Sequence, residues 1–196
     1  MIKQILKLKG LKLVLVTGKN SDKTAQFIYE LVSDFKKVEL IERPGLGLKK
    51  IPLLFTDVVV LSCQDEFIAD LDGLFKNFKQ VITVINSDNQ SKEKDIIRKM
   101  KKRDMLLTDF ESKEKLPGKR MSEFLSYGLS PEADFYVSDI NTSERTNFKI
   151  NYDGSSVPVW IEENSSKGDV LSATAGLGVG VLLGINFVSL TQKIKK

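Results

Sequence analysis

Histidine is absent from this chain. Without imidazole, Ser-His and Cys-His nucleophile pairs and histidine metal sites are excluded, while a magnesium site built from oxygen ligands stays open. Cysteine is nearly as scarce. Cys63 is the single thiol, so no internal disulfide can form, which fits a reducing, cytoplasmic compartment. It sits within a strand-like run with no base beside it and reads as a small core residue. No cleavable signal peptide is expected in Met1–Lys12, which interleaves lysines with isoleucine and leucine. Net charge is only +4, which favours solubility more than a dedicated affinity for polyanions. Neither an internal repeat nor a low-complexity linker interrupts the 196 residues. One domain spanning 1–196 is expected, large enough to bury its own core. Met1 and the basic tail lead us to expect a complete gene product.

Apolar patterning is abundant and changes character along the chain. Val14–Val16, Val38–Ile41, Val58–Leu61, Val81–Ile85 and Met105–Leu107 are short continuous apolar runs, as expected for strands buried on both faces. Between them Phe27, Ile28, Leu31, Val32 and Phe35 share one helical face, and Phe67, Ile68, Leu71, Leu74, Phe75 and Phe78 share another. Beyond about Pro117, Phe148, Ile150 and Tyr152 alternate with polar residues, Asp153-Gly154 offers a turn, and Val157, Val159 and Ile161 resume the alternation. That predicts an antiparallel hairpin, with Phe135–Ile140 as a third strand. An apolar helix over about Val170–Leu183 and a short amphipathic one close the chain. The expected fold is α/β: a mostly parallel sheet flanked by helices, with a small antiparallel unit near the C-terminal third.

The richest stretch chemically is Leu13–Thr24. A β-branched run stops at Gly18, passes the polar turn Lys19-Asn20-Ser21-Asp22, and enters a helix at Lys23-Thr24. This is the layout of a phosphate-binding loop, in which backbone amides and a lysine meet phosphates and a hydroxyl meets magnesium. Asp22 breaks the pattern, since a carboxylate before the lysine repels a triphosphate. The bland alternative is a plain strand-to-helix turn with Ser21 or Asp22 as N-cap. In parallel sheets ligands bind beyond the strands' carboxyl ends, where Gly18–Thr24, Ser62–Glu66, Asn86–Asn89 and Thr108–Asp109 would gather. Asp65, Glu66 or Asp88 could give a metal its carboxylate, although Asp65 and Glu66 also suit the start of a helix.

Two segments invite other functions. Arg98–Arg103 is strongly basic, but it closes a helix where cations belong and lacks interleaved aromatics, so nucleic-acid binding is not expected. Val170–Leu190 is uncharged over about the length that spans a bilayer. Its glycines and polar residues favour a buried helix, and a membrane-anchored interaction protein is the lesser alternative.

The order of motifs resembles the central, ATP-binding domain of the Mur ligases. Val16–Thr24 resembles that family's VTGTNGKTT loop with one residue inserted. Asp57–Leu61 resembles the strand ending in its magnesium-binding glutamate, and Val81–Asn89 resembles its VLTNISPDH segment. Tyr127–Phe135 leading to Asp139-Ile140 is similar to "YGLS…AD…DI", and Lys167–Ile185 to the closing helix. The resemblance implies ATP and Mg2+ as cofactors. It makes Gly18, Asn20, Ser21, Lys23 and Thr24 the candidate nucleotide-binding residues and Thr24, Asp65 and Asp88 the candidate metal ligands. It departs at the chemistry: Ser62 stands in the glutamate's place, Val84 and Asn89 replace the asparagine and histidine of the second motif, and Gly168, Asp169 and Ser172 replace the histidine and asparagines near the nucleotide in the closing helix. The family's two flanking domains have no counterpart in the sequence. Losing one preorganised charge costs roughly 10²–10³ in rate, and several are lost. We therefore expect a nucleotide-binding or pseudoenzyme module with little ligase activity alone. The alternative is a genuine ATP-dependent acid–amino-acid ligase completed by a protein partner that brings the missing domains.

Overall fold

Apolar runs with no polar side are satisfied only where both faces of a sheet are covered. A computed structural model places them accordingly; it describes residues 11–42, 56–63, 75–76, 78–86, 90–116, 123–142, 145–161 and 165–194. The strands are β1 (Lys12–Gly18), β2 (Val38–Ile41), β3 (Val58–Cys63), β4 (Gln80–Asn86), β5 (Met105–Asp109), β6 (Glu123–Gly128), β7 (Phe135–Asn141), β8 (Asn147–Tyr152) and β9 (Ser155–Trp160). The helices are α1 (Ser21–Ser33), α2 (Gln90–Lys99), α3 (Phe110–Lys113), α4 (Lys167–Leu182) and α5 (Phe187–Lys193).

The strands form one sheet in the order β2-β3-β1-β4-β5-β6-β7-β8-β9. Pairing is parallel from β2 through β7 and antiparallel for β7–β8 and β8–β9. The five expected strands are all present, although β2, at the sheet edge, is only half-buried over Val38, Glu39 and Leu40. Alternation along each strand assigns residues to opposite layers. Leu13, Leu15, Val59, Leu61, Val81 and Ile85 meet Ile96, Ile97 and Met100 on one face. Val14, Val16, Val60, Ile82 and Val84 meet Ala25, Ile28 and Val32 of α1 and Ala175 and Val179 of α4 on the other. Each such buried aliphatic side chain is worth about 1.5–3 kcal/mol. The chain leaves β1 toward β2 and β3 on one side and later passes to β4 and β5 on the other. The β1–β4 boundary is thus the crevice where such sheets bind ligands.

Several expectations change in detail. The expected antiparallel unit, β7–β8–β9, joins the main sheet, since β7 pairs in parallel with β6 through Tyr127 and Phe135. Asp153 and Gly154 make the expected hairpin turn with φ of 48° and 74°, the left-handed pair that a two-residue turn needs. β6 is a strand that apolar patterning does not announce, because Ser126 interrupts Phe124, Leu125 and Tyr127. Phe35 lies beyond the end of α1 and is 38% exposed, so it is not part of the buried face. Of the expected Phe67–Phe78 helix, Phe75 and Phe78 are described and buried, and Phe67–Leu74 lie outside the described residues.

Val170–Leu190 folds as two helices, not one. Gly184, at φ +82°, ends the first, and the Asn186 side chain accepts from Ser189 N (3.1 Å) to cap the second. No helix among the described residues is long and apolar enough to cross a membrane. α4 is apolar all round because it is enclosed by the sheet, α1 and α5. The anchor reading is corrected on that ground. The basic run closes α2 with Arg98 and Lys99 as expected, while Arg103 donates to the Phe78 carbonyl (2.8 Å).

Candidate functional site

The loop after β1 is shaped by one close approach. Gly18 takes φ +91°, and a Cβ there would stand 1.9 Å from the Asn86 carbonyl oxygen. The chain then turns through Asn20 in the left-handed region (φ 57°), and Lys19 N donates to the Asn86 carbonyl (2.8 Å). Asn20 precedes the first residue of α1 and makes no side-chain cap. The expected N-cap at Ser21 or Asp22 is therefore corrected: both residues already lie within the helix, and Ser21 is buried. The two left-handed residues bring the chain round sharply enough for the helix to begin without a cap.

Asn86, at the end of β4, holds this turn from the other side of the crevice. Its Nδ2 donates to the Lys19 carbonyl (3.0 Å) and to Thr24 Oγ1 (2.9 Å). Its Oδ1 accepts from the hydroxyl of Tyr127 on β6. Burial, and secondarily the Asp109 charge, push the Tyr127 hydroxyl pKa upward, so it remains a neutral donor. Thr24 Oγ1 also shares a hydrogen bond with Ser172 Oγ of α4 (2.9 Å). One polar chain thus links β6, β4, α1 and α4 beneath the loop.

Of the residues expected to meet phosphate and metal, Lys23 and Thr24 are engaged by the protein itself. Lys23 forms an ion pair with Asp169 in the first turn of α4. Asp169 is further fixed by a capping box with Ser166. Burial alone would raise the Asp169 pKa. The hydrogen bonds from Lys23 and Ser166, together with the Lys23 charge, outweigh that and hold the carboxyl below its ordinary value. Thr24 is fully buried. Asp22 accepts a hydrogen bond from Ser62 Oγ at the end of β3. Asp22 and Ser62, two positions at which the sequence departs from the motifs it resembles, therefore touch. Asp65, Glu66 and Asp88 lie outside the described residues. Among the described residues no cluster of three carboxylate, thiol or imidazole groups could hold a metal. Thr24 Oγ1 is engaged by both Asn86 and Ser172, and Ser62 brings a hydroxyl rather than a charge to this edge.

A cleft of about 310 Å³ opens beside the loop, lined among others by Lys19, Asn20, Lys167, Asp109, Glu111 and Tyr127. Lys19, Asn20, Asn86 and Asp109 come from the segments expected at this edge. Gly168 and Ser172, which the resemblance sets near a nucleotide, also line the cleft; the wall at Tyr127–Ser130 was not anticipated as part of the site. A Cβ on Gly168 would lie 2.9 Å from Asn20 Nδ2, so the absence of a side chain lets α4 close onto the loop. The Tyr127–Ser130 wall is set by Asp134, which accepts from Ser126 N (2.7 Å), Ser126 Oγ (2.7 Å) and Lys113 Nζ (3.0 Å). Burial would raise that carboxyl too, but these partners lower it. The Ser166…Asp169 spacing is a sequence signal that could have located the start of α4.

No protein-family model and no curated protein sequence matches this chain. Solved structures do. The chain is similar to MurF ligase from Thermotoga maritima in complex with ADP, with TM-score 0.76 and 17% identity over 97% of this chain and 50% of that one. MurF from Acinetobacter baumannii superposes with TM-score 0.78 and 14% identity over 100% of this chain and 49% of that one. A type C pseudomurein peptide ligase from Methanothermus fervidus gives TM-score 0.69 and 12% identity over 98% and 51%. The chain has a Mur ligase-like fold and spans about half the length of these neighbours.

Proposed function

We propose that this Mur ligase-like domain binds a nucleotide at the β1–β4 crevice and has little or no ligase activity alone, acting in the cytoplasm beside cell-wall precursor synthesis. The observation that carries the reading is the loop itself. Gly18 is seated against Asn86, and α1 starts next to a cleft of about 310 Å³, in a fold shared with a ligase that holds ADP. A dinucleotide-sized site is not needed for a phosphate group to meet backbone amides at a helix start. The case for weak catalysis is that Ser62 carries no charge and that Lys23 and Thr24 already have partners. Phosphoryl transfer depends on charge stabilisation placed in advance.

Calorimetric titration with Mg·ATP tests this reading. Saturable binding in the micromolar to low-millimolar range is expected, with no ADP formed when carboxylate and amine substrates are added. Absence of heat at millimolar ATP with folded protein would overturn nucleotide binding, and steady ADP release by the isolated chain would overturn the pseudoenzyme reading. A second reading, an ADP-forming ligase completed by further domains on a partner, is favoured by the chain's matching only about half of each neighbour. It predicts ATP turnover that appears only when such a partner is supplied.

A further inference from the structure

The cleft's cations are not the lysine that the loop pattern singles out. Lys23 is held by Asp169 and is not among the residues lining the cleft. Lys19 and Lys167 do line it, and both are exposed. Neither ammonium group has an ion-pair partner among the described residues. The fold brings them together: Gly168 packs against Asn20, and Lys167 and Lys19 each immediately precede one of these contacting residues. Opposite them the lining is acidic, through Asp109 at the end of β5 and Glu111 in α3. β1 and β5 are separated by β4 alone. Strands lie about 4.8 Å apart, so the ends of β1 and β5, from which Lys19 and Asp109 extend, are separated by roughly 10 Å. An anion entering the cleft is drawn to the Lys19–Lys167 side and repelled from the other.

We infer that Lys19 and Lys167, rather than Lys23, are the cations that bind a polyphosphate in this cleft. The inference rests on the nucleotide-binding reading and names the groups that would perform it. Asn20 supplies an amide beside the same anion, and the start of α1 adds its positive dipole end. Lys23 serves instead to tie α1 to α4.

The test is calorimetric titration of the full chain with Mg·ATP and, separately, with magnesium tripolyphosphate, on the natural protein, the Lys19→Ala/Lys167→Ala pair, the corresponding double arginine variant and Lys23→Ala. Each charge-assisted hydrogen bond contributes on the order of a tenfold effect. The double alanine variant should therefore weaken both probes by about tenfold or more. The arginine pair should retain most of the affinity, and Lys23→Ala should stay within about threefold of the natural protein. Circular dichroism below each variant's unfolding midpoint confirms that folded protein is being titrated. Binding abolished in Lys23→Ala but kept in the double alanine variant would overturn the inference while leaving nucleotide binding intact. A loss confined to Mg·ATP would overturn the assignment of these lysines to polyphosphate. No saturable binding of Mg·ATP by the natural protein would remove the underlying reading, and this inference with it.

Discussion

The two sides of the loop after β1 differ in how their polar groups are satisfied. On the side facing the sheet and α4, three side chains of the loop have partners within the chain: Asp22 with Ser62, Lys23 with Asp169, Thr24 with Asn86 and Ser172. On the side facing the cleft, the ammonium groups of Lys19 and Lys167 have no such partner among the described residues. The inner side chains of this strand–turn–helix act as internal fasteners. The groups that fasten the fold and the cations open to the cleft thus lie on opposite sides of the loop.

Breaking the shared backbone should have the largest effect, because it damages both sides at once. Gly18→Ala places a methyl 1.9 Å from the Asn86 carbonyl at φ +91°. Backbone strain and overpacking each contribute about 1–3 kcal/mol. A loss of about 3 kcal/mol or more is expected, seen as a fall of roughly 10 °C in the thermal midpoint. An unchanged midpoint would show that the loop relaxes freely and that Gly18 does not set its shape. Asn86→Ala comes next. It strands the nearly fully buried Tyr127 hydroxyl and removes two bonds to the loop. An expected loss of about 2–3 kcal/mol should appear in urea unfolding, and Tyr127→Phe should recover part of it in the double variant. Fully additive effects would argue that the two residues act separately.

Much of the fold was legible in the sequence because burial on both faces leaves an unbroken apolar run, as in Val58–Leu61 and Val81–Ile85. β6 was not, since Ser126 takes a buried position made tolerable by Asp134. The loop was legible as a strand–turn–helix with an intruding carboxylate. Its resolution was not: the Ser62–Asp22 contact joins two departures that each look like a simple loss when read singly. The partner of Lys23 was hidden for the same reason. Ser166-Lys167-Gly168-Asp169 signals a helix start, but nothing local says that this helix lands on α1. Such pairings are fixed by tertiary packing, and the cleft's basic wall arises from the same contact between Gly168 and Asn20.

The smallest effect sharpens the comparison most, because it separates a fastener from a ligand-binding group. Lys23 is 54% exposed at its side chain and Asp169 only 12%, so water screens the pair. Lys23→Ala should cost no more than about 1 kcal/mol at neutral pH. The sign of its pH dependence follows from Asp169, whose carboxyl is held below its ordinary value in the folded protein. The unfolded chain then binds a proton at a pH where the folded one does not. The contribution is present above the ordinary carboxylate range and is lost as pH falls through the lowered folded value. Urea midpoints measured from neutral pH to about pH 2 should therefore show the natural protein and Lys23→Ala converging in acid. A gap that persists unchanged to the lowest pH would mean that Lys23 stabilises through its aliphatic stem, and that Asp169 is not what draws it away from the cleft.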